Sequence, residues 1–146
     1  MEVRRSIDLA VDPDRAWEAL TGHAGLEAWL GGPSSLELAP GGLGVLTDED
    51  GVVHLAEVDE VDHGRRLVLR WVPVGQADAP ASRVELTIER HDGHSRVTVV
   101  ETALAPVGPT ASPDDDDHGT WAQARAARWD ARLGHLEGRL VASSHA

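Results

Sequence analysis

The stretch GTWAQARAARWDARLGHLEGRLV, residues 119–141, decides the fold of this chain. Its apolar side chains recur at intervals of three, four or eight, as on one face of an α-helix; they are Trp121, Trp129, Leu133, Leu136 and Leu140. The opposite, solvated face carries Arg125, Arg128, Arg132, Glu137 and Arg139. We therefore predict one amphipathic helix over residues 118–142, docked on a sheet rather than inside a bundle.

The segments before this helix predict the sheet. Residues 3–11 alternate as a strand with one buried face, which Arg5 interrupts. Asp12 and Pro13 then start a short helix, and a second short helix ends at Gly31. Glycine-bearing turns separate the segments that follow, which is typical of an antiparallel meander; the predicted strands are residues 36–39, 44–47, 52–61, 66–72, 83–90 and 96–103.

Residues 48–51 and 91–94 are predicted hairpin turns. Residues 105–117 are predicted to be a loop, and the aspartates at its end complement the dipole of the helix that follows. A chain of 146 residues with 41% hydrophobic content has room for one core. We therefore predict a single α+β domain over residues 1–146.

Composition excludes several functions. The formal charge of -12 argues against binding to nucleic acid or to an anionic membrane. The absence of cysteine rules out thiolate chemistry and a sulfur zinc site. No export signal and no apolar run of spanning length is present, so we expect a cytoplasmic protein. The core has five tryptophans but no phenylalanine or tyrosine, so a cavity is easier to leave open.

Neither a metal nor a cofactor is expected. The eight histidines form no HxH or HExxH arrangement. The glycine-rich residues 41–44 precede a strand and therefore lack the helix N-terminus that binds phosphate. Serines next to loops lack a nucleophile-elbow context, so we predict no covalent catalysis.

Several segments together carry a family resemblance. The segment VDPDRAWEALT at residues 11–21, followed by LEAW at 26–29, resembles the opening of the Hsp90-ATPase-activator-homologue-like branch of the START/Bet v 1-like (SRPBCC) superfamily. Residues 60–67 with Trp71 resemble the mid-chain strand pair of that branch, residues 93–101 its last hairpin, and residues 121–140 its closing helix. The chain departs from the family at His63-Gly64, where proline is common, and at Glu101, where relatives often have histidine.

The resemblance implies a helix-grip fold, in which a curved antiparallel sheet of six to seven strands wraps the last helix. The space between sheet and helix is then the natural ligand cavity. Trp17 and Trp29 are expected near its mouth. Strand and helix phase predict the other lining residues, which are Leu67, Leu69, Trp71, Leu86, Ile88, Val97, Val99, Glu101, Trp129, Leu133 and Leu136. The alternative is that these side chains fill a packed core.

Glu101 is the strongest single candidate for a catalytic or ligand-orienting residue. Alternation from Val97 and Val99 places its carboxylate on the inner face, where it could exchange a proton or orient a polar ligand group. Alternatively, the strand ends there and Glu101 reaches solvent or an arginine. The phase of strand 52–61 is also open, with a bulge as one solution. If Glu57 or Asp59 faces inward, a paired-carboxylate site becomes possible.

The sequence therefore favours a protein that binds a small apolar molecule and acts as a monomer or homodimer. The first alternative is a cyclase, aromatase or hydrolase that acts on a natural-product intermediate with Glu101 as general base. A second alternative is drug self-resistance by sequestration. The resemblance implies it, because some relatives have this role, and it is a special case of small-molecule binding. A co-chaperone-like protein interaction ranks after these.

Overall fold

The computed structural model describes residues 2–75, 81–104 and 115–144, without the side chains of residues 23, 24, 115–122, 124 and 139–144. The strands in these ranges are β1 (Glu2–Leu9), β2 (Gly31–Leu36), β3 (Leu43–Asp48), β4 (Val53–Asp62), β5 (Arg66–Pro73), β6 (Ser82–His91) and β7 (His94–Ala103). The helices are α1 (Pro13–Thr21), α2 (His23–Leu30) and α3 (Asp115–Ser144).

The strands form one antiparallel sheet in the order β1-β7-β6-β5-β4-β3-β2. From β2 to β7 each strand pairs with the next one along the chain, as the glycine-bearing turns predict. Helix α3 packs against β1 and α2, and its Trp129 reaches Glu101 of β7. A curled antiparallel sheet around one long helix is the helix-grip fold, so the predicted fold class is confirmed.

Two predicted boundaries are wrong. The strand expected at residues 36–39 lies instead at Gly31–Leu36, because Gly31 ends α2 in the left-handed conformation, with φ of 103°, and turns the chain directly into β2. Helix α3 begins at Asp115, so residues 115–117 belong to its first turn rather than to a loop. The remainder of that predicted loop lies outside the described residues.

The inner face of the sheet, the short helices and the buried face of α3 form the core. Asp12 caps α1 by accepting a hydrogen bond from the Arg15 backbone N–H at 2.9 Å, as the sequence predicts. The Trp29 indole donates to the Leu20 carbonyl at 3.0 Å and so joins α2 to α1. Each fully buried large apolar side chain stabilises the fold by about 1.5–3 kcal/mol relative to an exposed one. Among the described helices, none combines the length and the apolar character needed to cross a membrane.

Candidate functional site

Three tryptophans and one histidine form an aromatic column between the sheet and α3. Trp29 packs against Trp129 at a ring-centroid distance of 5.7 Å, and Trp129 stacks against Trp71 at 6.1 Å. His54 of β4 stacks on Trp71 at 4.4 Å. All four side chains are at most 4% exposed. The column therefore occupies part of the space in which the sequence predicts a ligand cavity.

Glu101 ties two members of this column together. It is completely buried on β7 and follows Val97 and Val99 on the inner face, so the alternative that it reaches solvent is wrong. Its Oε1 accepts a hydrogen bond from Trp129 Nε1 at 2.8 Å, and its Oε2 accepts one from Trp71 Nε1 at 3.1 Å. Glu101 therefore fixes the positions of both indoles relative to the sheet.

Arg132 is buried in the same region, although the sequence places it on the solvated face of α3. Only 1% of this residue is exposed. Its guanidinium carbon lies 4.9 Å from the Trp129 ring centroid and 5.6 Å from that of Trp71, in cation–π range. The position follows Trp129 by three residues and precedes Leu136 by four, so helical spacing alone could have identified it as a buried position.

An acidic turn anchors the guanidinium from the sheet side. Residues 48–51 form the predicted turn between β3 and β4, and Asp48 is only 2% exposed. Asp48 Oδ2 lies 3.3 Å from Arg128 Nη1 and 3.9 Å from Arg132 Nη2. Glu49 Oε2 accepts a hydrogen bond from Arg132 Nε at 3.4 Å. The turn therefore fixes α3 over the β3–β4 end of the sheet.

Three buried side-chain atoms in this region have no hydrogen-bond partner in the described structure. They are His54 Nδ1, Arg132 Nη1 and Arg132 Nη2. Burial lowers the pKa of Arg132, and the nearby Glu49, Glu101 and Asp48 oppose that shift. Burial also lowers the pKa of His54, so its imidazole is neutral near neutral pH. The site thus offers several hydrogen-bonding groups that the protein itself leaves unused.

The predicted paired-carboxylate site does not form. In β4 the side chains of His54, Ala56 and Val58 point inward, and a bulge follows Val58. Glu57 and Asp59 point outward to Arg70, at 3.5 and 3.1 Å. Because neither approaches Glu101, acid–base chemistry by two carboxylates is excluded for these residues.

The other predicted lining residues are buried, with one exception. Trp17 is half-buried on α1 and meets the His63 ring edge-on at 5.8 Å, whereas Trp29 lies inside the column rather than at a mouth. The apolar positions expected to line the cavity are at most 5% exposed; they are Leu67, Leu69, Leu86, Ile88, Val97, Val99, Leu133 and Leu136. The structure thus brings the predicted residues together in one core, with Trp17 packed against its edge.

Two open pockets lie on the described surface, and each touches the predicted lining set, one at Ile88 and the other at Trp71. One, of about 660 Å³, lies next to His63 and is lined mostly by polar residues. The other, of about 280 Å³, lies beside an exposed apolar patch on the sheet. We call this the outer patch; it comprises Leu43, Val45, Leu55 and Val72. Val45 pairs with Leu55, and Leu55 with Val72, so the patch runs continuously across three strands.

Fold and interior together define the class of protein: a helix-grip domain whose buried interior consists of aromatic and aliphatic side chains with a few buried polar groups. The family model described as Activator of Hsp90 ATPase homolog 1-like protein matches residues 10–123. The chain belongs to this family, and the resemblance found in the sequence is confirmed. A search of curated proteins finds no match.

Solved structures share the fold at low sequence identity. DynU16, a protein of the dynemicin biosynthetic locus, is 24% identical with a TM-score of 0.77; the match covers 95% of this chain and 46% of DynU16, so this chain spans about half of that protein. MLL2253 from Mesorhizobium loti is 20% identical with a TM-score of 0.80 over 98% of each chain. CalU16 from Micromonospora echinospora is 18% identical with a TM-score of 0.70, over 97% of this chain and 83% of that one.

Proposed function

We propose that the protein binds a small, largely apolar molecule between the sheet and α3. The observation that carries the proposal is the set of unpaired buried atoms on His54 and Arg132 beside the Trp71 ring. Folded proteins pair the large majority of buried side-chain polar atoms, and each unpaired one costs about 1–3 kcal/mol. A molecule that hydrogen-bonds to these atoms removes part of that cost, and this favours binding.

The surrounding side chains suit an apolar body. Small-molecule sites are mainly apolar and aromatic, with a few polar groups that fix orientation. Here Trp29, Trp71 and Trp129 supply aromatic surface, and aliphatic side chains of β5, β6, β7 and α3 surround them. The proposed binding site is therefore the predicted lining set with His54 and Arg132 added; the ligand contacts its tryptophans, and the aliphatic side chains of β6 and β7 pack behind them.

Binding is favoured over catalysis. The predicted cyclase, aromatase or hydrolase function needs Glu101 as a general base. Both of its oxygens already accept indole N–H groups, so its role in this arrangement is to hold the column. Self-resistance by sequestration would use the same binding step, and no contact described above favours a co-chaperone role. We expect the protein to act in the cytoplasm as a monomer or homodimer.

A neutral apolar dye tests the proposal. N-phenyl-1-naphthylamine fluoresces more strongly in an apolar site, and we expect the full chain to bind it. Ala56→Leu adds bulk on the inner face beside Trp71, whereas Leu55→Ser changes the neighbouring residue on the outer patch. The inner substitution should weaken dye binding about tenfold or more, since an overfilled site excludes the ligand. The outer one should change it little.

The opposite result would refute the proposal. If Leu55→Ser abolishes the signal and Ala56→Leu leaves it intact, the dye binds the outer patch and the inner space is only a packed core. Circular dichroism of both variants shows that each is folded. Mass spectrometry of the purified protein under native conditions then identifies any molecule that co-purifies, with natural products as the first class to examine, because DynU16 belongs to a biosynthetic locus.

A further inference from the structure

Two side chains with unused hydrogen-bonding atoms lie against one aromatic ring. The His54 ring stacks on Trp71 at 4.4 Å, and the Arg132 guanidinium carbon lies 5.6 Å from the centroid of the same ring. One residue comes from β4 and the other from α3, so they approach Trp71 from the sheet and from the helix. The unused atoms of both side chains therefore lie around the same indole.

Arg132 supplies most of the unused capacity, and all of it is donor capacity. A guanidinium has five N–H donors and no acceptor. The Nε donor is used on Glu49 at 3.4 Å, while Nη1 and Nη2 have no hydrogen-bond partner in the described structure. Asp48 Oδ2 is 3.9 Å from Nη2, which is too long for a hydrogen bond. The complementary ligand group is consequently a hydrogen-bond acceptor.

The charges nearby decide which kind of acceptor fits. Asp48, Glu49 and Glu101 all act on Arg132 electrostatically, and Asp48 and Glu101 are at most 2% exposed. Their carboxylates already balance the guanidinium charge. A ligand carboxylate would face these acids at short range in a poorly screened interior, where like charges repel strongly. A neutral oxygen gains the same donors without that repulsion.

We propose that Arg132, with His54 beside it, recognises a neutral carbonyl oxygen on an otherwise apolar ligand. This assignment depends on the proposed binding function and names the ligand class for that site. Ketones, quinones, esters and amides carry such an oxygen. His54 Nδ1 is available for one further hydrogen bond to a second polar substituent of the ligand. The tryptophans contact the apolar body and Arg132 sets its orientation.

Three probes with the same tricyclic ring system test the assignment. Fluorene has no hydrogen-bond acceptor, 9-fluorenone has a neutral carbonyl oxygen, and fluorene-9-carboxylate has an anionic carboxylate. Binding to the full chain is measured by quenching of tryptophan fluorescence. We expect fluorenone to bind about tenfold tighter than fluorene, as one hydrogen bond to a charged group implies. The carboxylate should bind more weakly than fluorenone.

Arg132→Met should remove the preference and bring fluorenone to the affinity of fluorene. Arg70→Met is the matched control, because Arg70 precedes Trp71 in the chain but points to the outer face, where it pairs with Asp59. That control should keep the tenfold preference. If Arg132→Met does not fold, Arg132→Lys keeps the charge, loses the planar fork, and should still reduce the preference severalfold.

The outcomes separate the two proposals. If none of the three probes binds, both the proposed function and the carbonyl assignment fail. If fluorene and fluorenone bind equally well to the unmodified protein, binding stands and the assignment fails. If fluorene-9-carboxylate binds most tightly of the three probes, the carbonyl assignment also fails, because the site then selects an anion. A preference that survives both Arg132 substitutions would show that another group recognises the oxygen.

Discussion

The interior has two ends that are built from different side chains. The aliphatic end consists of Leu86, Ile88, Val97 and Val99 on β6 and β7, and α1 packs on these strands. The tryptophan end consists of Trp71, Trp129, His54, Glu101 and Arg132. Val97 and Glu101 lie on the same strand, four residues or about 13 Å apart. One continuous core therefore changes character along its strands.

The two ends differ in how the burial of their side chains affects the free energy of folding. Aliphatic side chains need only close packing, and their burial favours folding. At the tryptophan end, one carboxylate and one guanidinium lose their hydration, and all of the unpaired buried side-chain atoms found in the described residues are there. We infer that the aliphatic end serves stability, whereas the tryptophan end serves binding.

The largest effect should come from removing the central indole. Trp129→Ala deletes the ring that touches Trp29, Trp71 and Arg132 and removes one donor to Glu101. We expect a loss of about 4–6 kcal/mol in the free energy of unfolding, combining the cavity with the lost hydrogen bond. Urea denaturation measures it. Trp17→Ala, at the half-buried indole, should cost much less; equal losses would contradict the packing described for the column.

Leu86→Ala should give the next largest loss, about 2–5 kcal/mol, because it opens a cavity in the aliphatic end. Binding of the apolar dye should nevertheless stay within about twofold of the unmodified protein. Denaturation and dye titration of the same sample test both expectations. A large loss of affinity would remove the distinction between the two ends.

The sequence predicts the fold well because periodicity records which face is buried. The phase of Val97, Val99 and Glu101 was correct, and so were the meander and the turn at residues 48–51. Wrong boundaries arose at Gly31, where a glycine both ends a helix and starts a strand. Local patterns cannot distinguish these two uses.

The site was harder to predict because its main polar group is a buried arginine, whereas arginine side chains are normally exposed. The residue type therefore assigns Arg132 to solvent, although its helical spacing from Trp129 and Leu136 indicates a buried position. Only the tertiary structure brings the acidic turn and Trp71 to it. The pairing of Glu101 with two indoles from β5 and α3 is equally non-local, and no spacing in the sequence indicates it.

Glu101→Gln should have a moderate effect. The amide presents an N–H donor where the carboxylate presented an acceptor, so one of the two indole donors loses its partner. We expect a loss of about 1–3 kcal/mol in stability. Glu57→Gln is the matched change on the outer face and should stay within about 0.5 kcal/mol. Similar losses in both variants would contradict the buried role of Glu101.

The smallest effect concerns pH and His54. Burial lowers the pKa of His54 below its ordinary 6.5; Asp48 opposes this shift, and Arg125 and Arg132 add to it. The unfolded chain therefore binds the proton first as pH falls below 6.5, and folding stability decreases in that window by at most about 1.4 kcal/mol per pH unit. Above that pH, His54 is neutral in both states and its contribution is fully present.

His54→Gln should remove this part of the pH dependence, since glutamine does not titrate. Denaturation of both proteins at about pH 7.5 and about pH 5.5 gives the difference directly, because the carboxylates common to both largely cancel. The unmodified protein should lose more stability on acidification than the variant. Equal losses would mean that His54 can take up its proton in the folded state because the attraction of Asp48 outweighs burial, and they would contradict the desolvation inferred for the tryptophan end.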